Sequence, residues 1–194
     1  MFDVEKTPAR IADAALTCFA YEDYSATSLS KIAAAADTSK QVVLHHFRSK
    51  EQLYSTVLDN VCSELMRALE EARLASNSPS EQLERFLLTL LDAGNEEVLL
   101  VTSRALASAS YIDIDFDQWP LQPLFDELRL LSSVGDGSAK ETQERSFALV
   151  YGLIGSASFF AASRRGLARM YGIEIAGRVE QALRREFGSR TAWL

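Results

Sequence analysis

By the soft measure of roughly 150 residues per domain, 194 residues hold one sizeable domain, or a small one joined to a larger one. Hydrophobic residues make up 47% and charged residues 24%, which excludes compositional disorder. Acidic residues number 27 against 20 basic ones, a net charge of −7, which excludes a generic polycation coating nucleic acid or anionic membrane but not a small basic patch on an acidic body.

Glycine is absent before Gly94, and the only prolines are Pro8, Pro79, Pro120 and Pro123. With few breakers and abundant Ala, Leu, Glu and Arg, the chain reads as all-α. Thr7-Pro8 is an N-cap with Pro at N1, and it opens a helix to about Ala20. Ile11, Ala14, Ala15, Cys18 and Phe19 form its buried stripe. Thr27 and Ser28 cap a short helix from Leu29 to Ala36, Asp37-Thr38-Ser39 interrupts, and a third helix runs from Lys40 to His46. Ser49 caps a fourth from Lys50 to about Ala75, roughly 39 Å long. Beyond the Asn77–Ser80 break come helices from Glu81 to Ala93 and from Glu96 to Ser110. An irregular acidic and aromatic stretch, Tyr111 to Pro123, precedes a short helix from Leu124 to Ser133 and a loop from Val134 to Ser138. Long helices from Ala139 to Tyr171 and from Glu174 to Phe187 finish the chain.

Two cysteines, Cys18 and Cys62, cannot build a disulfide framework and lie on apolar stripes, so they fill core in a reducing cytoplasm. The N-terminal residues lack the basic-then-apolar order of a signal peptide. Ser146 to Ser163 is uncharged over 18 residues, borderline for a membrane span. Its serines and glycines and its amphipathic flanks favour a helix buried on several sides, with no membrane partner.

The first three helices have the helix-turn-helix layout, whose last helix enters the DNA major groove. Thr38 to Lys50 carries Lys40, Arg48 and Lys50, both histidines (His45 and His46), and no acid. Val43 and Phe47 face inward toward Ile32 and Phe19, leaving Lys40, Gln41, Val42 and His45 on other faces for base-edge contact. Ser28 and Ser39 place hydroxyls and backbone N–H groups where a phosphate would sit. Adjacent histidines diverge on a helix and no Cys or carboxylate lies at ligand spacing, so no metal or other cofactor is expected.

Pro8 to Leu58 resembles the DNA-binding domain of the TetR family of bacterial transcriptional regulators. The residues that carry the resemblance are Ile11-x-x-Ala14-Ala15-x-x-x-Phe19, Thr27-Ser28-x-x-x-Ile32-Ala33, Ser39-Lys40, and His46-Phe47-x-Ser49-Lys50-Glu51-x-Leu53. The resemblance implies base contacts from Ser30, Lys40, Gln41, Val42 and His45, and phosphate contacts from Ser28, Ser39, His46 and Lys50. Two positions depart from the pattern: Asp37 stands where the family usually has a turn glycine, and Leu44 where it usually has a phosphate-binding tyrosine.

The rest of the chain has no GxSxG, glycine-rich phosphate loop or HExxH, and no histidine, so no enzyme is expected. Asp113, Asp115 and Asp117 read as solvated loop charges. Ala148, Gly152 and Ser156, with Gly155 beside them, form a ridge of small residues on the long helix, and Val179, Leu183 and Phe187 belong to a stripe on the last one. The resemblance implies that these two helices pair with their copies in a homodimer. It also implies a ligand pocket between the fourth and eighth helices, with Phe86, Leu90, Leu106, Phe116, Trp119, Phe125, Phe147 and Tyr151 as candidate lining. Arg104, Ser108 and Gln122 are candidate polar anchors there.

Residues 1–54 are therefore expected to bind a double-stranded operator, and 55–194 to dimerise and take a small-molecule effector. The expected function is a cytoplasmic transcriptional regulator, a repressor released by its ligand. The alternative is an all-helical small-molecule-binding or interaction protein whose helix-turn-helix is non-functional. Residues 1–54 carry a net charge of −1 and the remainder −6, so the acidity belongs mainly to the second domain.

Overall fold

The computed structural model describes residues 7–92, 94–108, 114, 119–132 and 140–191. Among them are nine helices and no strand: α1 (Thr7–Tyr21), α2 (Leu29–Ala35), α3 (Lys40–Phe47), α4 (Lys50–Ala75), α5 (Pro79–Leu90), α6 (Glu96–Ser108), α7 (Gln122–Ser132), α8 (Lys140–Tyr171) and α9 (Ile173–Thr191). The all-α expectation holds. Phe116, the aspartates at 113, 115 and 117, and the loop at 134–138 lie outside the described residues.

Serine caps set three helix starts. Ser28, Ser39 and Ser49 each have extended backbone, and their hydroxyls accept from the N–H three residues on: Lys31 at 3.2 Å, Val42 at 3.3 Å and Gln52 at 3.1 Å. Such caps are worth about 1 kcal/mol each. α5 starts at Pro79, two residues before the expected Glu81, because proline's fixed φ suits the first helical position and Ser78 takes the cap position. α9 continues past Phe187, through Gly188 to Thr191. A Cβ on Gly188 would stand 2.6 Å from Glu84 Oε1, the end of a flexible side chain on α5.

α1, α2 and α3 close over Ile11, Ala15, Phe19, Ile32, Val43 and Phe47, which continue into the core through α4. Cys18 and Cys62 are buried in that core, and burial pushes both thiols up, so neither is a ready thiolate.

α8 corrects one expectation. Its inner face, Val150, Leu153, Ile154, Ala157 and Phe160, is buried, but Tyr151, Gly152, Gly155, Ser156 and Phe159 are exposed. Only a third of its most apolar window is buried, so it is one-sided within the subunit rather than buried on several sides. Its described part, Glu144–Tyr171, has a mean hydropathy of 1.5 and is long and apolar enough to cross a membrane. Its inner face packs on α6, α7 and α9. Gly172, at φ +91°, ends α8 and donates its N–H to Ala168.

Candidate nucleic-acid interface

The turn between α2 and α3 is built from backbone hydrogen bonds. Thr38 N–H donates to Ala33 O at 2.9 Å and Asp37 N–H to Ala34 O at 3.2 Å, the Schellman pattern that ends a helix on a left-handed residue. That residue is Asp37, at φ +46°. An aspartate tolerates this region better than most side chains, but glycine enters it without steric cost. We therefore expect Asp37→Gly to raise stability by about 0.5 kcal/mol, net of the greater freedom it gives the unfolded chain, and Asp37→Val to lower it by about 1–2 kcal/mol. Thermal melts of the three proteins check the order.

α3 presents Lys40, Gln41, Leu44 and His45 to solvent, with Val42 and His46 half-buried and Val43 and Phe47 inside. Leu44 is 37% exposed and lies between Lys40, Gln41 and His45 on the outer face. The exposed apolar group of this surface is therefore Leu44 rather than Val42, a position that sequence reading treated only as a lost tyrosine. The rings of His45 and His46 stand edge to face at 5.2 Å. Ser28, Ser30 and Ser39 are exposed.

Lys50 is placed differently from the expectation that it reaches outward to phosphate. Its Nζ donates to Tyr24 O at 2.7 Å and Thr27 O at 3.0 Å, and it lies 4.0 Å over the Tyr24 ring. Burial lowers its pKa from the ordinary lysine value. Tyr24 in turn donates to Glu51 Oε1 at 2.9 Å, and the backbone, Ser49 and Tyr24 hydrogen bonds hold that carboxyl below its usual range. The start of α4 is thus clamped to the turn that positions α2. Lys40 and Arg48 remain as the exposed cations of the acid-free segment.

Three rings join this unit to the helical body: Phe19 lies 4.9 Å from Tyr54 and 5.9 Å from Tyr24, and Tyr24 lies 4.8 Å from Tyr54. Burial pushes Tyr54 up to about 12, with a Ser108 hydrogen bond acting the other way. Arg104 donates from Nε to Ala20 O at 2.9 Å and from Nη1 to Asp23 Oδ1 at 2.7 Å. Thr17 and Tyr21 on α1 donate to Glu97 and Glu96 on α6 at 3.1 Å and 3.0 Å. Arg104, expected in a ligand pocket, therefore belongs to the α1–α6 junction, while the Ser108 hydroxyl, also expected there, bonds to Arg104 O within α6 and meets Tyr54 on α4.

The other pocket candidates also separate. Phe86 is closed core, Leu90 is buried beside a cavity, and Leu106 and Trp119 are half-buried. Gln122 is exposed at the start of α7. Phe125 meets Phe147 at 6.4 Å and Tyr151 at 6.3 Å, bridging α7 and α8, and Tyr151 is 52% exposed.

Most of the expected dimer surface converges. Gly152, Gly155, Ser156, Val179 and Leu183 line one apolar groove of about 570 Å³ with Phe159, Phe160, Ser163 and Leu167. Ala148 is exposed on the same helix. Phe187 is the exception and a correction: it is fully buried, so it packs its own subunit and offers nothing to a partner.

Residues 11–57 match the family described as "Bacterial regulatory proteins, tetR family". The HTH-type transcriptional repressor Rv3405c of Mycobacterium tuberculosis is 36% identical over 83 residues, 43% of this chain and 42% of that protein. The chain thus matches about two fifths of the length of the first curated relatives. The HTH-type transcriptional regulatory protein RaaS of M. tuberculosis is 29% identical over 145 residues, 66% of this chain and 68% of that protein. Among solved structures, a transcriptional regulator from Rhodococcus sp. RHA1 shares the fold with TM-score 0.68 and 22% identity, over 94% of this chain and 95% of that one. A γ-butyrolactone receptor described as ArpA-like superposes with TM-score 0.64 and 25% identity, over 97% of each chain. The similarity to the tetR family of bacterial regulatory proteins is thus carried by residues 11–57, the helix-turn-helix unit.

Proposed function

We propose that the protein is a homodimeric transcriptional regulator of the cytoplasm, a repressor that a small molecule releases from its operator, and not an enzyme. Residues 1–54 read DNA, while 55–194 dimerise and bind the effector. The observation that carries the reading is the outer face of α3: Lys40, Gln41, Leu44 and His45 stand exposed on an acid-free segment behind a capped turn. Lys40, Gln41 and His45 supply donors and acceptors for base edges, and Leu44 and Val42 suit a thymine methyl. Ser30 adds a hydroxyl from α2. Ser28, Ser39 and His46 take phosphates, whereas Lys50 acts through the turn it holds.

The groove between α8 and α9 supports the dimer. Phe159 is 74% exposed in the groove beside Gly152 and Gly155, and a second copy would remove that apolar surface from water. Two copies place two recognition helices on half-sites about one helical turn, 34–36 Å, apart. Relatives that are ligand receptors support an effector. So do Thr102 on α6 and Ser158 on α8, buried hydroxyls without a hydrogen-bond partner on two helices that pack together. The contacts of Arg104, Glu96 and Glu97 with α1 give α6 a route to the DNA-binding unit, and the effector acts through its differential affinity for the two arrangements.

A gel shift on the DNA upstream of the protein's own coding sequence tests this. The expected result is a salt-sensitive, competitor-resistant complex. Its absence at low salt would favour a helical binding protein with a silent helix-turn-helix.

A further inference from the structure

A second cavity adjoins the α8–α9 groove, sharing only Phe160 with its lining, and includes none of the aromatic cluster of α7. It opens beneath the turn between α5 and α6, against α8, and has a volume of about 250 Å³. Its walls are Leu90, Leu91, Leu99, Ala157 and Phe160, each buried. Charge is confined to its rim, at Asp92, Glu96 and Arg164. The volume falls between the roughly 150 Å³ that holds a benzene ring and the roughly 300 Å³ at which drug-sized sites begin. A compact apolar body fits it.

The rim charges are not equivalent. Asp92 is held by Arg184 at 3.0 Å. Glu96 accepts from Tyr21 at 3.0 Å and pairs with Arg165 at 3.7 Å. Arg164, in contrast, has Glu180 at 4.0 Å, and that carboxylate already accepts from Arg184 at 3.2 Å and 3.4 Å. Both acids are satisfied within the protein, and Arg164 is the rim group with guanidinium capacity left. Its side chain is half-exposed beside an apolar hollow.

We propose that this cavity is an effector site for a small amphiphile ending in a carboxylate, its apolar body among Leu90, Leu99, Ala157 and Phe160 and its carboxylate on Arg164. The inference rests on the effector-released reading given above and names a site and a ligand class for it. Glu96 couples the site to DNA binding: it lines the cavity and holds the Tyr21 hydroxyl at the end of α1. A ligand that draws Arg164 inward or displaces Glu96 changes the hold of α6 on α1.

Isothermal titration of the full-length protein with octanoate and with octylamine tests the proposal. Octanoate is expected to bind once per subunit, and octylamine about tenfold more weakly or not at all. Arg164→Gln is expected to weaken octanoate about fivefold, as befits a half-exposed ion pair. Ala157→Leu fills the hollow and abolishes binding; should it not fold, Arg164→Gln and octylamine still decide. No octanoate binding, equal binding of octylamine, or indifference to Arg164→Gln would overturn the proposal. Operator binding without octanoate is measured in parallel. If it is retained with no octanoate site, only this inference falls. An octanoate site in a protein that binds no operator overturns only the regulatory reading.

Discussion

Phe159→Asp is expected to convert the protein to a monomer and to lower its apparent operator affinity by at least about 100-fold. Phe159 is 74% exposed in the isolated subunit, so the substitution costs the subunit's own fold little. In the proposed dimer the same position lies in the groove with Gly152, Gly155 and Ser156, where a carboxylate would have to be desolvated without a partner. Loss of the dimer unlinks two recognition helices, and linked binding is worth a factor of about 10²–10⁴ over a single half-site. Sedimentation velocity reads the oligomeric state, and fluorescence anisotropy the affinity. A dimeric Phe159→Asp protein with intact operator binding would contradict the assignment of this face. Phe187→Asp should instead destabilise the subunit itself, because Phe187 has no exposed surface.

Gln41→Ala is expected to weaken the specific complex by about 1–3 kcal/mol, roughly 5- to 150-fold, while leaving non-specific DNA binding nearly unchanged. Gln41 is exposed on the outer face of α3, and its amide can pair with a base edge in both directions. Arg48→Ala should behave in the opposite manner. It removes an exposed cation at the end of α3, weakening all DNA alike and lowering the slope of log K against log salt by about 1. Anisotropy titrations of both variants on operator and scrambled duplexes, at several salt concentrations, separate the two behaviours. Equal losses of Gln41→Ala on both duplexes would contradict base reading by α3.

What could be read from the sequence followed the range of the forces involved. Ser28, Ser39 and Ser49 cap helices through contacts three residues away, so α2, α3 and α4 began where expected. Asp37 was legible as the turn residue through the resemblance, and its left-handed backbone is set by neighbours in the turn. Long-range partners were not legible. Lys50 looked like a phosphate ligand because nothing near it in sequence shows that the Tyr24 and Thr27 carbonyls, 26 and 23 residues away, would take its ammonium. Arg104 looked like a pocket anchor because Ala20 lies 84 residues away. Phe187 shares a helical stripe with Val179 and Leu183, but it is fully buried while the other two line the groove, a difference that depends on which helices α9 packs against and not on local sequence.

The charge distribution sets the manner of DNA binding. Residues 1–54 carry a net charge of −1, with no acid from Thr38 to Lys50, and the larger remainder carries −6. With Lys50 engaged inside the domain, few cations are left for phosphates, so non-specific affinity is expected to be weak and discrimination to rest on α3. Hydroxyl-radical footprinting on the upstream DNA tests this account most directly. Two protected half-sites about one helical turn apart, lost together in Phe159→Asp, are the result it predicts. A uniform coating of the duplex, or no protection at a salt concentration where the protein is folded and dimeric, would contradict it.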